Sequence, residues 1–197
     1  MIEKIIYKKL MGTAFSLGLY AENKTKANYW LEKGVEEIQR IEFLLSEYQS
    51  TSQTTQINNA DYLTDINIDE EVLELIERSI NISKLTNGCF DITSAQLKKL
   101  YKFNNQNSTL PSKNEILNSL NCVGYKNLKL NRKNLSIQKL VPNLTISFNA
   151  IGKGYAADKV KHLWVKNGIS SGFINASGDL YAFGTKSDNN PWKVAIS

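Results

Sequence analysis

The chain has 197 residues, 42% of them hydrophobic, which is enough to bury a proper core as one domain or two small ones. Its formal charge is +5 with a pI near 9.0, yet lysines and acids are interspersed. With no basic stripe, RNP-type sequence or zinc-finger spacing, nucleic acid is excluded as an expected partner. No segment approaches the roughly 18 consecutive apolar residues of a membrane span, so none is expected to cross a bilayer.

Residues 1–9 lack the apolar stretch and cleavage site of a secretory leader, which predicts a cytoplasmic protein or one whose leader has been removed. Met11-Gly12-Thr13 then reads as a small turn between two strand-like pieces, the second being the period-two run 14–20. Over 25–45, Leu31, Val35, Ile38, Ile41 and Leu45 follow helical steps, with Gly34 a slight weakness. The hydroxyl- and amide-rich stretch 46–58 has no apolar period and reads as a loop, too long to be an idle connector.

A second helix is predicted over 69–85, opened by Asp69, Glu70 and Glu71 and closed by Asn87-Gly88. A shorter helical stretch follows through Leu97, Leu100 and Tyr101. Pro111-Ser112-Lys113-Asn114-Glu115 holds a capping box, and 127–130 and 135–137 read as a strand pair. The two cysteines, Cys89 and Cys122, are far apart and make no metal-ligand pair, so free, partly buried thiols are expected.

Up to Phe148 the residues alternate like a strand, and from Tyr155 onward Ala156, Val160, Leu163 and Trp164 recur at helical spacing. Gly152-Lys153-Gly154 therefore falls at a strand-to-helix junction. The first amides of a helix have no internal partner and carry the positive end of its dipole, so they attract phosphate, and Lys153 adds a point charge. That helix ends at Asn167-Gly168, and strands are expected over 172–175, 180–184 and 192–196. His162, without a Ser-His-Asp or Cys-His context, reads as structural. Helices early and strands late argue for an α+β fold with a mainly antiparallel sheet, and no early G-x-G-x-x-G turn supports a Rossmann fold.

Four islands combine: Met11-Gly12-Thr13, the stretch 46–58 with Tyr48 and Ser52, Gly88-Cys89-Phe90-Asp91-Ile92-Thr93, and the run 149–158 followed by Asn175-Ala176-Ser177-Gly178-Asp179. In order and spacing they resemble the ApbE family of FAD:protein FMN transferases, across nearly the whole chain. The resemblance implies an enzyme that uses Mg2+ and FAD, attaches FMN to a Thr or Ser of an acceptor flavoprotein subunit of a redox complex, and releases AMP. It further implies residues 1–197 as a single transferase domain, C-terminally incomplete, working at the cell envelope.

By the same resemblance Met11 and Tyr48 contact the flavin nucleotide, Cys89, Phe90 and Asp91 are similarly placed, Lys153 lies near the phosphates, and the Ala150 carbonyl is a magnesium ligand. Ser147 occupies a nucleotide-side position where many relatives have Asp. Other departures are Gln96 for a common Pro, Tyr101 for Trp, and Ser177-Gly178-Asp179 for Gly-Gly-Asp. The His and further metal ligands of the family would fall after Ser197. Two other readings share the site: a non-catalytic flavin-nucleotide-binding or acceptor-docking module, and an FAD pyrophosphatase.

Overall fold

The computed structural model describes residues 1–101 and 110–194. In chain order the elements are β1 (Ile2–Leu10), β2 (Thr13–Ala21), α1 (Lys24–Leu45), α2 (Gln53–Asn59), β3 (Ile66–Asn67), α3 (Glu70–Leu85), α4 (Ala95–Leu100), α5 (Lys113–Leu120), β4 (Leu128–Asn131), β5 (Ser136–Lys139), α6 (Gly152–Lys166), β6 (Gly172–Ala176) and β7 (Asp179–Phe183). All pairings among these strands are antiparallel, as expected of the α+β class. The chain divides into two compact units, residues 1–43 with 151–197, and residues 44–150.

In the first unit the strands run in the order β1-β2-β6-β7. Alternation along β2 sends Phe15, Leu17 and Leu19 to one face, where all three are buried. Helices α1 and α6 meet that face at Gly34, where a Cβ would stand 3.0 Å from the Trp164 ring and 3.1 Å from Leu17 and Val160. The glycine that weakens α1 as a helix is thus what lets it approach so closely. Trp164 is fully buried, and its Nε1 donates to the Trp30 carbonyl at 2.7 Å, satisfying its one polar atom.

The opposite face of β2 carries Ala14, Ser16 and Gly18, and the Phe173 ring of β6 lies over Gly18, 2.3 Å from where a Cβ would sit. Trp192 packs its ring against Tyr20 and Phe173 and donates to the Phe183 carbonyl. The strand expected over 192–196 is corrected accordingly: residues 192–194 form none, and Ala195 and Ile196 lie outside the described residues. Pro191, which bridges Thr185, has no N–H to continue a ladder. Among the described residues β1 is an outer strand, and it carries Lys4, Lys8 and Lys9.

In the second unit α3 buries Val72, Leu73, Leu75 and Ile76, and a small sheet runs in the order β3-β5-β4. Ser112 and Glu115 form the predicted capping box at α5. The stretch 46–58, expected to be a loop throughout, contains α2. Ser52 caps that helix by accepting from the Thr55 amide, and Thr54 and Ile57 are buried. Thr and Asn are weak helix formers and Ile57 is its one apolar residue, so burial and capping decide the conformation where the apolar pattern does not.

A second correction concerns 144–148. Leu144, Ile146 and Phe148 are buried in alternation, yet the segment joins no sheet. The Asn58 side chain acts as its pairing partner, accepting from the Ile146 amide at 2.7 Å and donating to the Ile146 carbonyl at 3.0 Å. Nearby, Lys139 is 2% exposed and its Nζ donates to the Asn58 carbonyl in the last turn of α2. Burial holds the Lys139 ammonium below the usual lysine range, with Asp61 pulling the other way.

Candidate functional site

Within the first unit, two hairpin turns stand at the same end of the sheet. Met11 and Gly12 join β1 to β2 with φ of 48° and 74°, and Ser177 and Gly178 join β6 to β7 with φ of 54° and 107°. Two consecutive positive φ values suit the right-handed twist of the flanking strands. Met11 and Ser177 accept the left-handed region without being glycine, which ties their identity to something besides backbone freedom. The Thr13 hydroxyl donates to Ser177 Oγ at 2.6 Å and links the two turns.

Lys153 reaches the second of these turns. Helix α6 starts at Gly152, so Gly152-Lys153-Gly154 forms its first turn and not a bend before it, which corrects the expected junction. No side chain caps this terminus. The Lys153 Nζ lies 3.1 Å from Asp179 Oδ2 and donates to the Ala176 carbonyl at 3.4 Å. Sequence reasoning missed a cavity of about 650 Å³ over the Met11-Gly12 turn, lined by Tyr7, Lys9, Gly12, Thr13, Ser16 and Asn175. Its signal was present in the small residues Ala14 and Ser16 on one face of β2.

Within the second unit, Asp91 is the centre of a hydrogen-bond cluster. Its Oδ1 accepts from the Thr93 amide and hydroxyl, and its Oδ2 from the Tyr125 amide, all at 2.7 to 2.8 Å. Thr93 Oγ1 in turn accepts from the Gly124 amide. Asp91 therefore holds the 3-10 turn Ile92–Ser94 against residues 124–125, a role beyond capping that the motif did not disclose. The Phe90 amide donates to Thr86 Oγ1. Cys89 is exposed and Cys122 half-buried, both free; for Cys89 this corrects the expected partial burial.

Ser147 is joined to the Asp91 turn, since its amide donates to the Ile92 carbonyl at 2.8 Å. Its hydroxyl is hydrogen-bonded to the Glu47 carboxylate, immediately before Tyr48. Tyr48 is 87% exposed and Ala150 is exposed too. The structure thus gathers Met11 with Lys153 and Asp179 through adjoining turns of one unit, and Glu47, Ser147 and Asp91 through hydrogen bonds in the other. Among the described residues no three His, Cys, Asp or Glu side chains are grouped to hold a metal ion.

The model of the ApbE family matches residues 11–197. The chain belongs to the ApbE family. An FAD:protein FMN transferase of Klebsiella pneumoniae (strain 342) is 28% identical over 95% of this chain and 55% of its own length. One from Escherichia coli (strain K12) is 27% identical over 98% of the chain and 56% of its own. Among solved structures, the ApbE protein of Thermotoga maritima superposes with a TM-score of 0.88 at 28% identity, covering 97% of this chain and 62% of that one. The chain spans about half the length of the curated relatives it matches. No helix among the described residues is long and apolar enough to cross a membrane.

Proposed function

We propose that this ApbE-family chain serves Mg2+-dependent transfer of FMN from FAD to a Thr or Ser hydroxyl of an acceptor flavoprotein subunit of a redox complex, at the cell envelope. In the transfer the acceptor oxygen bonds to the FMN phosphorus, the pyrophosphate P–O bond to the adenylate breaks, AMP leaves, and the hydroxyl proton passes to solvent or a base. Residues 1–197 act in this proposal as one transferase domain.

One observation carries the assignment of the phosphates: a lysine in the first turn of a fifteen-residue helix whose N-terminus no side chain caps. Free amides, the dipole and an ammonium together favour a dianionic bridge. Lys153 is held by Asp179 at 3.1 Å with its side chain 30% exposed, so it stays within reach of solvent-borne phosphate. The Met11 turn and the Tyr48 ring are assigned to the flavin nucleotide, and so are Cys89, Phe90, Asp91 and Ser147, the last two held in place by hydrogen bonds within the second unit. Magnesium, which takes six oxygen ligands, is assigned the Ala150 carbonyl as one donor. The side chains described here do not make a cage for it, and no step is derived through the ion.

Incubation with FAD, magnesium and an acceptor protein, followed by in-gel flavin fluorescence, tests the transfer. A labelled band that resists denaturation is the expected result, whereas tight FAD binding without label would mark a binding or docking module, and release of FMN and AMP alone a pyrophosphatase. Lys153→Ala is expected to weaken FAD about tenfold in a titration, the scale of one charge-assisted contact; unchanged affinity would remove Lys153 from the phosphate site.

A further inference from the structure

Asn58 closes the stretch 46–58 and has no part in the ligand contacts proposed above. Its side chain nevertheless makes the two bonds that a neighbouring strand would otherwise give Ile146: Oδ1 accepts from the amide at 2.7 Å and Nδ2 donates to the carbonyl at 3.0 Å. The orientation is fixed, since turning the side-chain amide over would set donor against donor and acceptor against acceptor. Ile146 is fully buried, so water offers its backbone groups no ready replacement.

The clasp is mounted on an anchored element. The Asn58 carbonyl accepts from the ammonium of Lys139 on β5 at 3.0 Å, and Ile57 beside it is fully buried. At the other end of α2, Ser52 caps the helix and Gln53 Oε1 accepts from the Asp69 amide at 2.8 Å, just before α3. A seven-residue helix is thus tied down at both ends, which is what a side chain needs if it is to hold something else in place.

What it holds is the approach to Ser147. Successive residues of an extended chain direct their backbone polar groups to opposite edges. Here Ile146 is taken by Asn58 on one edge, while the Ser147 amide is taken by the Ile92 carbonyl at 2.8 Å on the other. Pinned at adjacent residues from both edges, the segment is fixed against sliding and against rotation about its own axis, with no sheet involved.

We infer that Asn58 is a positioning residue for nucleotide binding: through Ile146 it sets where Ser147 and the turn closed by the Asn149 amide on Ser147 Oγ meet the ligand. This rests on the flavin-nucleotide reading above. Asn58 touches no ligand in this assignment. An asparagine that only stabilised its unit would affect binding no more than any other equally destabilising change.

The test compares the full chain with Asn58→Ala and with Val72→Ala, which truncates a buried side chain of α3 in the same unit and serves as the destabilised control. Calorimetric titration with FAD is run below the thermal midpoints of all three. Asn58→Ala is expected to bind about tenfold or more weakly, and Val72→Ala to stay within about twofold of the parent. In ligand-free protein, hydrogen exchange at the Ile146 and Ser147 amides should quicken about tenfold or more in Asn58→Ala, while the α3 amides change no more than in Val72→Ala. If Asn58→Ala does not fold, Asn58→Asp, which keeps the acceptor for the Ile146 amide and loses the donor, is read by the same criteria. Unchanged affinity, equal weakening in the control, parental protection of the two amides, or failure of both Asn58 variants to fold would overturn the positioning role and leave the flavin reading intact. A parent chain that binds no FAD would overturn the flavin reading and the positioning role with it.

Discussion

The two units hold their polar groups in different ways. In the first, Lys153 and Asp179 face each other across one contact with side chains 30% and 48% exposed, so water can replace either partner at little cost. In the second, Asp91 accepts three hydrogen bonds and Ser147 is fixed by Ile92, Glu47 and Asn149. A ligand can therefore recruit the charge of Lys153 without dismantling anything, whereas the Asp91 and Ser147 groups are a preformed frame whose loss is a loss of structure.

The largest effect that would break this contrast lies in the first unit but away from its turns. Trp164→Ala removes a fully buried ring and its bond to Trp30, and should cost about 3–5 kcal/mol in urea unfolding; a small loss would mean that this unit is loosely built throughout and not only at its ion pair. Asp91→Ala should follow at about 2–3 kcal/mol, because the Thr93 and Tyr125 amides lose a charged acceptor. An Asp91→Ala protein as stable as the parent would make Asp91 a ligand group and not a frame. Asp179→Ala should shift stability by no more than about 1 kcal/mol, as expected of a partly exposed ion pair.

The smallest effect sharpens the comparison through pH. The folded chain holds Lys139 below its ordinary range, so between that lowered pKa and the usual one the unfolded chain binds the extra proton. This contribution makes stability rise with pH through that interval. Urea midpoints from neutral to alkaline pH should show the parent gaining on Lys139→Met as pH increases. A constant difference would mean that Lys139 is not charged at the cost of burial.

Much of this fold was legible in the sequence because its signals are periodic. Leu31, Val35, Ile38 and Ile41 mark α1, and Ser112 with Glu115 mark the start of α5. What escaped detection depends on contacts between distant residues. Nothing in Gln53–Asn59 announces a helix until the Thr54 hydroxyl finds the Leu45 carbonyl. The segment ending at Phe148 looks like a strand because its burial alternates, but a lone asparagine side chain takes the place of the neighbouring strand. The motifs singled out Asp91, Ser147 and Lys153 as candidates, but not the neighbours that hold them: the bond from Ser147 to Glu47 carries no signal in the sequence, because an acid in a loop shows nothing until the fold supplies its serine.

The lysines of β1 have a consequence for how copies of this protein behave together. Among the described residues β1 has no strand on its outer side, and such an edge offers a row of amides and carbonyls on which another molecule could template itself, yet Lys8 and Lys9 place positive charge along that border while Lys4 turns to the Asn28 side chain of α1. Two such borders repel before their backbones can align, so crowding at high concentration is resisted by electrostatics, and added salt weakens that resistance.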